Sequence, residues 1–273
     1  MNGLNGKTAI VTGGSSGIGQ AIAVRLAQEG VRVAINYVGP DDGARMTADA
    51  IAKEMDACLC ALREAGTEPI LVNADVSQED EVERMFQDIS EQFGGVDILI
   101  NNAGIQISAE SDELKVSDFD RVLAVNLRGS FLCAQQALRQ MASHQRGGVI
   151  VNVSSVHQEI PKPRFLGYSV SKGGMQNLTR TLALEYAGRG IRVNAVAPGA
   201  TVTPINRSWV DDPERREMVV SHIPMGRAGT AEEMAAVTAF LCSDDAAYIT
   251  GQTIFVDGGL TLFADFRTTW SSE

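Results

Sequence analysis

Residues 7–23 read KTAIVTGGSSGIGQAIA. A short apolar run (7–12) passes through a glycine-rich turn into a helix predicted over 17–28. Gly13, Gly17 and Gly19 give the spacing G-x3-G-x-G. Glycines there permit a tight bend and the close approach of a pyrophosphate. The helix start behind them offers free N–H groups and the positive end of a dipole. In a strand–turn–helix setting this pattern predicts a dinucleotide site.

Outward from the turn, strand and helix alternate to the end of the chain. Strands are predicted at 31–37 (VRVAINY), 69–73 (PILVN), 96–101 (VDILIN), 148–153 (GVIVNV), 191–197 (IRVNAVA) and 253–256 (TIFV). Helices are predicted at 79–93, 117–143, 167–188 and 230–241, the last opened by a capping box of Thr230 with Glu233. Val- and Ile-rich runs without polar alternation suit strands buried on both faces. The expected fold class is α/β: one Rossmann-type doubly wound parallel sheet of about seven strands with helices on both faces. No linker or repeat interrupts the pattern, so residues 1–273 are expected to form one dinucleotide-binding catalytic domain. Two connections are long. Residues 38–65 follow the second strand. Residues 201–229, rich in Pro, Trp and Met, are the expected substrate loop.

The 273 residues are 44% hydrophobic, with a formal net charge of −11 and a sequence pI near 4.8. This length buries a large core without staples. The acidic balance argues against nucleic acid and anionic membranes as partners. The chain starts on a strand pattern and has no long apolar stretch, so a cytoplasmic, soluble protein is expected. Cys58, Cys60, Cys133 and Cys242 form no disulfide framework and no metal-ligand spacing, so no metal is expected.

The chemistry centres on Tyr168-Ser-Val-Ser-Lys172, with Ser155 thirteen residues before the tyrosine. A phenol has an ordinary pKa of about 10 and is a poor base at neutral pH. Positions i and i+4 share a helix face, about 6 Å apart. At an effective dielectric of ~20, a lysine charge there favours phenolate by ~3 kcal/mol and lowers the pKa by roughly 2. That brings the phenol toward proton transfer, with Ser155 as a hydrogen-bond donor to the same oxygen. At the end of the second strand an acid would favour NAD and an arginine NADP. Tyr37 and Val38 stand there instead, so use of both NAD and NADP is expected. Arg45 lies beyond a loop.

With these motifs on the page, the chain resembles the short-chain dehydrogenase/reductases over almost its whole length. The resemblance rests on Thr12-Gly13-x3-Gly17-Ile18-Gly19, Asn101-Asn102-Ala103-Gly104, Asn126, Ser155, Tyr168, Lys172 and Pro198-Gly199. It implies Tyr168 as general acid/base, with Lys172 on the nicotinamide ribose and lowering the tyrosine pKa. It implies Ser155 on the substrate oxygen and Asn126 anchoring a relay water. Gly13, Ser15, Ser16, Gly17, Ile18, Gly19, Tyr37, Asn102, Ala103, Gly104, Pro198 and Gly199 would contact the cofactor. Asp75 and Val76 would meet the adenine and Thr203 the carboxamide. A homotetramer is also implied. The tyrosine helix, rich in Gly173, Gly174, Met175, Leu178, Leu182 and Ala183, has apolar faces to spare for a partner.

Within the family, six segments are similar to the bacterial glucose 1-dehydrogenases: Val153-Ser-Ser-Val-His157, Tyr168-x-x-Ser171-Lys-Gly-Gly-Met175, Thr181-Leu-Ala-Leu-Glu-Tyr186, Gly190-Ile-Arg-Val-Asn194, Pro204-Ile-Asn206 and Ile223-Pro-Met-Gly226. This implies oxidation of a sugar C1 hydroxyl, with Gln106, Ser155, His157, Gln158 and Asn206 as candidate substrate contacts. The chain departs from that branch at Gln106 and Gln158, where the branch carries glutamate, and at Val38, where it carries arginine. The stretch 38–65 is also longer by about three helical turns. A reductase of ketones or 3-oxoacyl thioesters shares the same residues. A non-catalytic nucleotide sensor has no use for Tyr168 with Lys172. An epimerase of sugar nucleotides would have a different glycine spacing and a longer C-terminal part.

Overall fold

Thr8–Val11 (β1), Arg32–Tyr37 (β2), Ile70–Asn73 (β3), Ile98–Asn101 (β4), Gly148–Val153 (β5), Ile191–Pro198 (β6) and Thr253–Val256 (β7) form one parallel sheet in the computed structural model. The structure describes residues 1–39, 42, 44–49, 69–144 and 147–262. Most of the long stretch 38–65 lies outside the described residues, Cys58 and Cys60 with it. The strand order is β3-β2-β1-β4-β5-β6-β7. Consecutive strands run outward from β1 on one side and from β4 on the other. The crevice where the order reverses, beyond the carboxyl ends of β1 and β4, is where such sheets bind ligands.

The sheet buries both faces because its apolar strands send successive side chains to opposite sides. One layer packs Ala9, Val11, Val33, Ile35, Ile98 and Ile100 against Gly17–Gln28 (α1) and Ala231–Cys242 (α8). The other packs Ile10, Ala34, Leu99, Ile150 and Val193 against Glu79–Phe93 (α2), Gly129–His144 (α4) and Leu166–Tyr186 (α5). Further helices are Val116–Leu123 (α3), Arg207–Val210 (α6) and Pro213–Ser221 (α7). The capping box is present: Thr230 Oγ1 accepts from Glu233 N–H, and the Glu233 carboxylate accepts from Thr230 N–H.

One predicted element is corrected. The single helix expected over 117–143 is broken by a π-helical turn, Ala124–Arg128, between α3 and α4. A reason for the insertion lies at the next residue. A Cβ on Gly129 would sit 2.9 Å from Val76 Cγ2 and 3.0 Å from Val76 O, so the chain passes against the turn after β3. π-turns of this kind concentrate at functional sites, and this one carries Asn126.

A buried polar ladder ties the sheet to α5. Asn101 Nδ2 donates to Asn152 Oδ1 at 2.9 Å, Asn152 Nδ2 to Thr179 Oγ1 at 2.8 Å, and Thr179 Oγ1 to Met175 O at 2.8 Å. The ladder fixes the height of α5 against β4 and β5, which plain apolar contact would leave free to slide. Asn152→Ala removes two buried hydrogen bonds, leaving Asn101 Nδ2 with Ser130 O and Thr179 Oγ1 with Met175 O, and two such bonds are together worth about 1–3 kcal/mol. Urea denaturation should show a loss in that range; a loss below about 0.5 kcal/mol contradicts this role.

Candidate active site

The turn after β1 is built for close approach. Gly13 and Gly17 have φ of +60° and +55°, in the left-handed region. A Cβ on Gly19 would lie 2.3 Å from Gly13 O and 2.4 Å from Asn102 Nδ2, so a side chain there is excluded. Thr12 and Asn102 stitch this turn to the one after β4. Thr12 Oγ1 accepts from the N–H groups of Asn102 (2.9 Å) and Ala103 (3.0 Å). Asn102 Nδ2 donates to Thr12 O (2.9 Å) and Gly13 O (3.0 Å). The N-cap Ser16 makes no side-chain capping bond, and the first turn of α1 holds no acid. The first N–H groups of α1 and its dipole are thus left for an anion. Open cradle, positive φ and free helix start together fit the pyrophosphate of a dinucleotide.

Tyr168 and Lys172 come from α5, across the cavity. The Lys172 side chain is 4% exposed, and its Nζ donates to Val153 O at 2.8 Å, at the end of β5. Nζ stands 5.5 Å from the centroid of the Tyr168 ring. Ser155, just beyond β5, accepts from His157 N–H at 3.2 Å, leaving its hydroxyl proton for another acceptor. Asn126 sets the register of this end of α5. Its Oδ1 accepts from Ile105 N–H (2.8 Å), and its Nδ2 donates to Ile105 O (2.9 Å) and Ser171 Oγ (3.1 Å). Ser171 Oγ in turn donates to Tyr168 O at 2.7 Å.

One cavity of about 510 Å³ is lined by Gly13, Ser15, Ser16, Gly17, Ile18, Asn102, Ala103, Gly104, Ser155, Tyr168, Lys172, Pro198, Gly199 and Thr203, and by the expected substrate contacts Gln106, His157 and Asn206. Gly19 stands behind the glycine turn, filling no space of its own. Five further expected site residues stand outside this lining. Gln158 does not line the cavity: its amide is buried behind it, with neither Oε1 nor Nε2 hydrogen-bonded. Asn126 is fully buried, and its amide protons go to Ile105 O and Ser171 Oγ. Tyr37, Asp75 and Val76 also stand outside the cavity: Tyr37 packs on the α1 layer, Val76 is buried, and Asp75 Oδ1 accepts from Ser77 N–H at 2.9 Å.

Sequence reading missed Lys162, Ile205, Trp209, Val219, His222 and Leu260, which also line the cavity. Only Lys162 carried a legible signal, since Pro161 and Pro163 flank it and stiffen its backbone. Among the described residues no group of His, Cys, Asp and Glu is arranged to hold a metal.

The expected downward pull on the phenol is also corrected. By the protein's own groups, burial pushes Tyr168 above its ordinary value, and the Ser155 hydroxyl offsets this only in part. Lys172 is itself pushed down to about 8, because its ammonium has been taken out of water for a single carbonyl. Desolvation penalises both charged forms, and at this depth it outweighs the attraction reckoned from spacing alone. The unfolded chain keeps the lysine proton up to about 10.5, whereas the folded chain releases it near 8. Between those values the unfolded state binds more protons, so stability from this group rises with pH. At pH 7 the buried charge therefore costs about 3 kcal/mol. Lys172→Met should be more stable than the parent in urea at pH 7 without added nucleotide. It should lose that advantage above about pH 10 and lose turnover at every pH. A variant less stable than the parent at pH 7 contradicts the account.

Residues 13–261 match the family model described as enoyl-(acyl carrier protein) reductase. A glucose 1-dehydrogenase of Gluconobacter oxydans is 48% identical over 98% of this chain and 96% of its own length. A 3beta-hydroxysteroid dehydrogenase of Eggerthella lenta is 47% identical over 97% of each. A crystal structure from Agrobacterium tumefaciens with bound NADP is 35% identical, with a TM-score of 0.84 over 94% of this chain and 97% of that one. The chain belongs to the short-chain dehydrogenase/reductase family of NAD(P)-dependent oxidoreductases acting on CH–OH groups.

Proposed function

We propose that this enzyme oxidises the C1 hydroxyl of an aldose to a lactone, using NAD or NADP. The observation that carries the reading is one cavity joining the glycine turn to Ser155, Tyr168 and Lys172, with Gln106, His157 and Asn206 around it. When bound, the oxidised nicotinamide supplies the hydride acceptor and a positive charge near the phenol. Ser155 donates to the substrate oxygen and Tyr168 takes its proton. Lys172 holds the ribose hydroxyls and stabilises the phenolate. Asn126 acts as a positioning residue through Ile105 and Ser171. His157 is held neutral, mainly by burial. Its Nδ1 faces Ile160 O at 2.9 Å, which leaves Nε2 to accept from a sugar hydroxyl. Hydroxyl-pairing groups of this kind suit a polyol better than a steroid, and the Gluconobacter relative supports the same choice.

We assign residues 201–229 as the substrate segment, since Thr201, Thr203, Asn206, Trp209, Val219 and His222 reach the cavity. Asp75 and Val76, beyond β3, take the adenine side, and Tyr37 the adenosine ribose side. Tyr37 and the exposed Val38 present neither acid nor base there, which supports dual cofactor use. Leu184, 85% exposed on the helix that carries Tyr168, is available to a partner helix in a homotetramer. The buried free thiols Cys133 and Cys242 accord with the reducing cytoplasm.

Nucleotide reduction should follow with aldoses and not with steroids or 3-oxoacyl thioesters; turnover of only the latter would reject the sugar reading. The kcat/KM values for NAD and NADP should agree within about a hundredfold, a gap of 2.7 kcal/mol. Tyr168→Phe should lose at least ~10³-fold in kcat and keep its cofactor Kd; retained turnover refutes the role of Tyr168.

A further inference from the structure

The cavity wall is unusual for an acidic protein. The chain carries a formal charge of −11. Yet among the described residues the cavity is lined by two lysines and two histidines and by no Asp or Glu. Lys172 is spent on Val153 O and the tyrosine. Lys162 has no such task. Its ammonium makes no ion pair among the described residues and lies 3.9 Å from the centroid of the Phe165 ring. A ring face steadies a cation without neutralising it. The charge is close enough to His157 to oppose a second charge there.

Lys162 is also presented by a built segment. Pro161 and Pro163 restrict its backbone. Its N–H donates to Ser169 Oγ at 3.3 Å, and its carbonyl accepts from Phe165 N–H at 3.2 Å. Arg164 next to Phe165 holds φ at +68°, the one non-glycine residue with positive φ in the described chain. Such strain persists where surroundings over-determine it. Here Ala109 N–H donates to Arg164 O at 2.9 Å, and the guanidinium pairs with Glu110 at 3.2 Å. A half-buried lysine on a strained, doubly pinned loop thus lines a cavity whose described wall carries no carboxylate, and its charge is available to an anion.

We infer that the substrate is a sugar acid, whose carboxylate is held by Lys162 while its reacting hydroxyl sits at Ser155 and Tyr168. This rests on the aldose reading and narrows it to sugars that carry a carboxylate away from the reacting carbon. The reaction balances as before: the C–H bond breaks with its electron pair going to NAD⁺ or NADP⁺, the O–H proton goes to Tyr168, and a C=O bond forms. No further oxidant is needed.

The test compares glucose with glucuronate, which differ at one carbon far from C1, with both nucleotides. Glucose 6-phosphate serves as a different anion. The parent enzyme should prefer the acid by tenfold or more in kcat/KM. That acid-to-neutral ratio should fall ~10- to 100-fold in Lys162→Met, fall further in Lys162→Glu, and largely return in Lys162→Arg. Because the ratio is taken within each preparation, partial misfolding does not change it. Neutral sugars used as well as the acids, an unchanged ratio in Lys162→Met, or a preference for the phosphate overturns the inference and leaves the oxidoreductase reading standing. No turnover of any sugar, neutral or acidic, overturns both.

Discussion

A buried ammonium resting on one carbonyl is the constraint on which the site depends. Lys172 is nearly sealed from solvent, with Val153 O as its hydrogen-bond partner in the described structure. A charge in that position is costly to keep, and burial shows the cost by pushing the lysine down to about 8. Its position is fixed from two directions. The ladder of Asn101, Asn152 and Thr179 sets the height of α5 on the sheet. The Asn126–Ser171 bonds set the turn that carries Tyr168. The stability lost at Lys172 is the kind of local sacrifice that functional sites carry and the remaining core absorbs.

The same burial explains why phenol and lysine must be read with a nucleotide in mind. The protein's own groups hold Tyr168 in its neutral form, able to give a proton. With an oxidised nucleotide bound, its positive charge would favour the phenolate of Tyr168, as alcohol oxidation needs. With a neutral reduced nucleotide, Tyr168 would stay protonated, as carbonyl reduction needs. One pair of residues thus serves both directions, and the bound redox state selects between them.

Much of this was legible in the chain. The glycine turn, the alternating strands and the order of Asn126, Ser155, Tyr168 and Lys172 report backbone requirements or reacting groups, and local spacing reveals those. What escaped was set by tertiary placement. The π-turn ends where Gly129 passes against Val76, a contact between residues more than fifty apart. Gln158 neighbours His157 in sequence, yet the 3-10 turn Val156–Gln158 sends one into the cavity wall and the other behind it. The direction of the phenol shift turned on depth of burial, which an i to i+4 spacing does not contain. Where Lys162 reaches depends on how Arg164 and its partners turn the loop, which the flanking prolines alone do not show.

The central claim is that this fold moves hydride from a carbinol carbon to the nicotinamide ring while Tyr168 takes the proton. Following deuterium tests it most directly. An aldose labelled with deuterium at C1 should give reduced nucleotide carrying one deuterium at the nicotinamide C4 per lactone formed, read by mass spectrometry, with a slowed chemical step. Reduced nucleotide free of deuterium, or label lost to solvent, would contradict direct hydride transfer and the account built on it.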